Sequence, residues 1–134
     1  MTPPRTVLFV CLHGAAKSVL AAADFRRLAA ERGLAVRTAS AGTEPDPEIA
    51  PAVVRTLRAD GVDMSGQQPR QVTREDVAGA WRVVAFGCDL NDAAVPGIPV
   101  EQWNDIPAVS DGLPAARHAI RQRLERLLEE VAKP

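Results

Sequence analysis

Residues 6–10, Thr-Val-Leu-Phe-Val, form an unbroken run of apolar and β-branched side chains. A strand with one solvated face alternates apolar and polar residues. A run without alternation is expected where helices cover both faces of a parallel sheet, so this segment predicts a central parallel strand. Cys11 follows directly, then the short loop Leu12-His13-Gly14-Ala15-Ala16, then Lys17 and Ser18, where a helical period begins. Strand, small-residue loop and helix in this order bring the backbone N–H groups of a helix start around one point. Such a point attracts a tetrahedral oxyanion, and the same partial positive charge favours the thiolate of a cysteine placed there.

The remaining chain repeats the alternation of strand and helix. Residues 17–32 carry an apolar stripe of Leu20, Ala21, Phe25, Leu28 and Ala29, with Gly33 as the stop. Residues 34–40 alternate and read as a second strand, and residues 48–60 read as a helix with Ile49, Val53, Val54 and Leu57 inward. Residues 66–70 are loop, and Thr73 opens a short helix with Glu75 and Asp76 in its first turn. Residues 81–86 and 98–103 predict a third and a fourth strand. Residues 113–131 predict a last helix with Ala116, Ile120, Leu124, Leu127 and Val131 on one stripe, capped by Asp111 with Pro114 near its start. Its arginines and His118 are expected on a solvated face, and Trp81 and Trp103 in the core or at its rim. The pattern predicts an α/β fold: a three-layer sandwich, a four-stranded parallel sheet with helices on both faces, in a single domain over residues 1–134.

A chain of 134 residues, 46% hydrophobic and 25% charged, suits one domain with a full core. Its net charge of -1, with acids and bases interspersed, gives no pull toward nucleic acid. The two cysteines, Cys11 and Cys88, are too few for a secreted disulfide scaffold, and no leader or bilayer-spanning stretch stands out. A cytoplasmic protein without nucleic-acid or membrane partners is expected. Any anion site must therefore be local, and the carboxyl ends of parallel strands are where it belongs. Cys11, residues 40–42, Cys88 and residues 103–111 all fall at such ends.

Cys11, five intervening residues and then a cation and a hydroxyl are the parts that a thiol phosphatase needs. The thiolate attacks a phosphoryl centre in line while N–H groups and the cation hold its other oxygens. Together with Ser40-Ala41-Gly42-Thr43, Gly61-Val62-Asp63-Met64-Ser65 and Gly87-Cys88, the loop resembles the low-molecular-weight protein tyrosine phosphatase superfamily over nearly the whole chain. It is most similar to the bacterial arsenate reductase branch, whose loops often carry a histidine where His13 stands.

The resemblance implies that Cys11 is the nucleophile, that Ser18 stabilises its thiolate, and that Leu12, His13, Gly14, Ala15 and Ala16 bind the anion. Lys17 stands where the family has arginine. A guanidinium grips two oxygens with a fixed fork and an ammonium is a mobile point charge, so a weakened transition-state grip is expected, by ~10²–10³ in rate for one lost donor. Lys17 is read either as facing the anion or as an ordinary solvated residue, and His13 either as a substrate contact or as an exposed side chain.

The family's general acid sits in an Asp-Pro pair before the last helix. This chain has Ala108 near that position and no Asp-Pro; Asp105 is favoured as the acid, with Asp111 as the alternative. Arsenate reductases of this type pass oxidation from the nucleophilic cysteine to further thiols. Cys88 occupies a matching strand end, and Ala93 and Ala94 stand where a third cysteine would be expected. Cys88 is thus either a buried hydrophobe or the second thiol of a short relay. The implied functions are a phosphatase of lowered activity on a phosphomonoester or related oxyanion, a thiol-dependent arsenate reductase, or an anion- or partner-binding module. The expected partners are a phosphate or arsenate-like anion, a phosphorylated protein or an external thiol reductant. No metal or other cofactor is called for. The absence of Tyr and the scarcity of aromatics weigh against a phosphotyrosine pocket.

Overall fold

The computed structural model describes residues 4–133; the leader-free reading of the first residues falls partly on residues 1–3, outside that range. Four parallel strands, β1 (Arg5–Cys11), β2 (Val36–Gly42), β3 (Arg82–Ala85) and β4 (Val100–Gln102), form one sheet in the order β2-β1-β3-β4. The helices are α1 (Lys17–Glu31), α2 (Pro51–Ala59), α3 (Arg74–Ala78) and α4 (Leu113–Ala132), with single 3-10 turns at Asn91–Ala93 and Val109–Asp111. This is the α/β parallel-sheet fold that the apolar runs predict.

Alternation along β1 divides the core. Val7, Phe9 and Cys11 face one cluster with α1, α2 and α4, while Leu8 and Val10 face the other with Val72, Val77 of α3, Cys88, Leu90 and Ala93. The first face holds edge-to-face ring contacts from Phe25 through Phe9 and Trp103 to Phe86. The second is covered by α3, five residues long, and by the turns after β3. Trp103 is therefore core, and the guanidinium groups of Arg5 and Arg82 lie over the ring of Trp81, 4.8 and 4.4 Å from its centroid.

Several boundaries differ from the sequence expectation for local reasons. The second helix starts at Pro51 rather than residue 48, because proline suits the first helical turn. β2 runs two residues later than predicted, which pairs Cys11 directly with Gly42. Thr73 caps α3 as expected, in a reciprocal capping box with Asp76. Asp111 does not cap α4: Gly112, at φ 148°, takes that position with no side-chain bond, and Asp111 ends the preceding 3-10 turn.

The arginines of α4 also depart from a purely solvated face. Asp24 of α1 is 1% exposed and accepts from Arg117 Nε at 3.0 Å and Nη2 at 2.7 Å, and from Arg121 Nε at 3.4 Å. Arg117 also reaches Asp60 at the end of α2, and Arg27 joins both carboxylates. The Arg117 bond to Asp60 is the main cause that holds that carboxyl below its ordinary range, and Asp24 in turn raises the Arg117 guanidinium. Two carboxylates, the buried Asp24 and Asp60, thus fasten α1, α2 and α4 together through Arg117 and Arg27 on the first face. His118 is exposed, as expected.

Candidate active site

The strand order reverses at β1, since the chain leaves it toward β2 and later returns to β3 on its other side. The crevice at the carboxyl end of such a strand is where open parallel sheets bind ligands. Cys11 is the last residue of β1, is 8% exposed, and its Sγ lies 3.1 Å from Ser18 Oγ. Ser18 is fully buried, so its hydroxyl is held on the sulfur and suits a thiolate as acceptor.

The loop between them is shaped by the segment after β2. The carbonyls of Cys11, Leu12, His13 and Ala15 accept from the N–H groups of Thr43, Glu44, Asp46 and Ala50 at 3.3, 2.7, 3.0 and 2.9 Å. A trans peptide sets C=O and the next N–H on opposite sides. Drawing these four carbonyls outward therefore turns the N–H groups of Leu12, His13, Gly14 and Ala16 the other way. Among the described residues none of the backbone N–H groups from Leu12 to Ser18 donates to a protein acceptor. α1 begins without a side-chain cap and without an acidic residue in its first turn, so its positive end is also uncompensated. The result is a nest of donors beside a buried sulfur.

Glycine is required at two places in this nest. Gly14 has φ +59°, and a Cβ there would lie 2.8 Å from the Gly42 nitrogen; a Cβ on Gly42 would lie 2.6 Å from the Gly14 nitrogen. Loop and β2 cross at backbone contact. The sequence marked Gly42 only as part of the rim, and its packing role depends on a neighbour 28 positions away.

The other expected site residues divide between the cradle and its surroundings. Gly14 and Ala15 are buried and Ala16 is half-buried, while Leu12 is exposed by 43% and is the exposed large hydrophobic among the described residues. His13 Nδ1 lies 3.3 Å from both the Glu44 carbonyl and an Asp46 carboxylate oxygen, which orients the imidazole along the outer segment. Lys17 opens α1, half-buried, and its Nζ donates to the Ile106 carbonyl at 3.2 Å. Asp105, exposed, has its carboxylate on Arg123 Nη2 of α4 at 2.5 Å, and that bond holds its carboxyl below the ordinary carboxylate range. Asp111 is exposed in the 3-10 turn before α4.

Cys88 follows the end of β3 and packs in the second-face cluster, whereas Cys11 packs in the first. Its thiol lies 3.6 Å from the Val10 carbonyl. Burial, and secondarily the neighbouring Cys11, push the Cys88 thiol up. Gln102 of β4 clamps this turn, its Oε1 accepting from Gly87 N–H at 3.1 Å and its Nε2 donating to the Cys88 carbonyl at 2.9 Å. Gln102 drew no attention in the sequence, because a polar residue at a strand edge carries no motif.

The model of the low molecular weight phosphotyrosine protein phosphatase family matches residues 6–101. An inferred arsenate reductase of Halobacterium salinarum is 27% identical over 97 residues, covering 71% of this chain and 68% of that protein. A thioredoxin-dependent arsenate reductase of Corynebacterium glutamicum has 28% identity and a TM-score of 0.81 over 97% of this chain. This chain spans only 63% of that protein's length. The arsenate reductase of Archaeoglobus fulgidus has 26% identity and a TM-score of 0.70, covering 95% of this chain and 99% of the other. Because the matched stretch contains the whole cysteine loop and reaches all four strands of the sheet, the chain belongs to the low molecular weight phosphotyrosine protein phosphatase family.

Proposed function

We propose that this chain is a cysteine-dependent phosphatase that acts on a phosphomonoester or related oxyanion through Cys11. The observation that carries the reading is the outward pull on four loop carbonyls, which leaves the N–H groups of the loop free beside the Cys11 sulfur. In the proposed first step the Cys11 thiolate forms an S–P bond as the P–O bond to the leaving group breaks. The loop N–H groups hold the equatorial oxygens, and Ser18 steadies the sulfur as thiolate and as leaving group in the second step, where water attacks phosphorus.

Asp105 is the proposed proton donor to the leaving oxygen, with Asp111 as the alternative. Asp105 must leave Arg123 to serve, since that pairing favours its ionised form. A carboxylate parked on an arginine and a lysine in place of the family's fork both support a slow enzyme. Trp103 is buried and gives no aromatic wall to the crevice. That favours small oxyanions or aliphatic phosphomonoesters over phosphotyrosine.

A second reading, arsenate reduction, draws support from relatives that bear that name and from a second cysteine, Cys88, which follows the neighbouring strand β3. Arsenate would bind Cys11 with loss of water. A second thiolate would then attack the Cys11 sulfur, the S–As bond pair reducing As(V) to As(III) as a disulfide forms. Burial of Cys88 on the opposite core cluster, with its thiol raised, favours an external thiol over Cys88 for that step.

Turnover of an aryl phosphate, with phosphate as product, tests the first reading. Cys11→Ser is expected to lower it by at least about 10³-fold, as removal of a nucleophile does. Equal turnover in the variant would contradict it. Arsenate-dependent oxidation of a thioredoxin system by the native chain, without aryl phosphate turnover, would move the assignment to the second reading. Anion binding with neither activity would leave a binding module.

A further inference from the structure

Lys17 has a partner that its place in the motif does not suggest. Its ammonium donates to the backbone carbonyl of Ile106, 89 residues along the chain. Residues 104–107 link β4 to the 3-10 turn before α4. Before this stretch Trp103 N–H donates to the Ala85 carbonyl at 2.8 Å, and after it the 3-10 turn closes on itself with Asp111 N–H on the Ala108 carbonyl at 3.0 Å. Between them, among the described residues, no backbone group of residues 104–107 bonds to another backbone group. The Lys17 ammonium is the donor that reaches this backbone from elsewhere in the described chain. Side chains complete the hold, with Ile106 buried and Asp105 on Arg123.

We infer that Lys17 is a positioning residue that tethers residues 104–107 to the rim of the anion cradle and links their order to anion occupancy. An ammonium has three donors, and the Ile106 carbonyl uses one. A second can meet an oxyanion in the cradle without releasing the first, because the charge is a point at the end of a flexible stem. A bound anion and the Ile106 carbonyl then share one cation. Sharing makes the two events cooperative: anion binding firms the loop, and a firm loop favours anion binding. Asp105 lies in the tethered stretch, so Lys17 also sets the region from which that carboxyl reaches the crevice. The loss of a guanidinium fork is thereby offset by control of the loop. The linkage to anion rests on the phosphatase-like reading; the tether rests on the Lys17 to Ile106 bond alone.

Backbone 15N relaxation at Asn104, Asp105 and Ile106 in the full chain, with and without inorganic phosphate, tests this, because it reads the order of amides that have no hydrogen-bond acceptor among the described residues. Lys17→Met should lower the order parameters of these amides from the ~0.85 of rigid backbone toward ~0.6 and leave the core helix amides of Leu127 and Leu128 unchanged. Lys17→Arg, whose side chain also reaches, should restore order. Phosphate should raise the order parameters of the three amides in the native chain and have no effect on them in Lys17→Met. Unchanged order parameters in Lys17→Met would overturn the tether, as would a loss of order spread equally through α4. Phosphate that shields Cys11 from alkylation without changing the three amides would overturn the linkage. Failure of the anion reading is distinguishable: phosphate would then alter neither Cys11 nor the loop, while Lys17→Met would still loosen it.

Discussion

Gly42→Ala is expected to destabilise the protein by about 2–4 kcal/mol and to abolish phosphate binding at concentrations that saturate the native chain. The added methyl would stand 2.6 Å from the Gly14 nitrogen and 2.8 Å from the His13 carbonyl carbon, both backbone atoms that no rotamer change can move. Gly42 itself cannot retreat. It pairs with Cys11, donates to the Arg70 carbonyl and accepts from Val72 N–H, both at 2.9 Å. The loop must therefore yield, and with it the peptide orientations that aim N–H groups at the site. Urea unfolding and phosphate titration on the same preparation check both halves of the expectation. A variant of native stability that binds phosphate normally would show that the contact is looser than described.

Asp24→Ala is expected to cost about 3–5 kcal/mol, the range for removing one partner of a buried ion pair. Arg117 would keep Asp60 but lose the carboxylate that binds it at two nitrogens, in a place where only 14% of its side chain is exposed. Arg121 would lose its carboxylate as well, and Arg27 would share Asp60 with Arg117. For a chain of this length the loss corresponds to a fall in Tm on the order of 10 °C or more. Replacing both partners, Asp24→Leu with Arg117→Met, should recover most of it, because the cost comes from the uncompensated charge rather than from the lost attraction. Thermal unfolding of the two single variants and the double variant decides the point. A single variant within about 1 kcal/mol of the native chain would reduce the cluster to a surface network.

The contrast between Gly14 and Asp24 explains what the sequence could and could not convey. Cys11, Ser18 and the loop between them form a contiguous segment whose chemistry depends on local order, and the apolar run before it announces the strand that carries it. The parallel sheet was legible for the same reason, since each strand is written as a run of its own. Asp24 lies on the apolar stripe of α1, four residues after Leu20 and four before Leu28, so the helical period turns it inward although it is a carboxylate. The arginines that compensate a buried charge there stand 93 and 97 positions away. No window along the chain contains both.

Lys17 shows a further limit. Its motif position indicates an anion contact, whereas its hydrogen bond lies on a loop fixed only by the closing of the whole sheet. Asp105 follows the same pattern, because a spacing argument places it near the crevice and Arg123 decides where its carboxylate points. The framework and the cysteine loop were therefore readable, and the partners that orient the surrounding charges were not.

The proposed function rests on residues 12–18 cradling a tetrahedral oxyanion over the Cys11 sulfur. Alkylation of Cys11 by iodoacetamide, followed by mass spectrometry of its peptide with and without inorganic phosphate, measures this directly. Saturating phosphate should slow modification of Cys11 by about tenfold or more, because a bound anion covers the sulfur. Modification at the same rate in both conditions, in a chain that remains folded, would contradict the cradle and the function built on it.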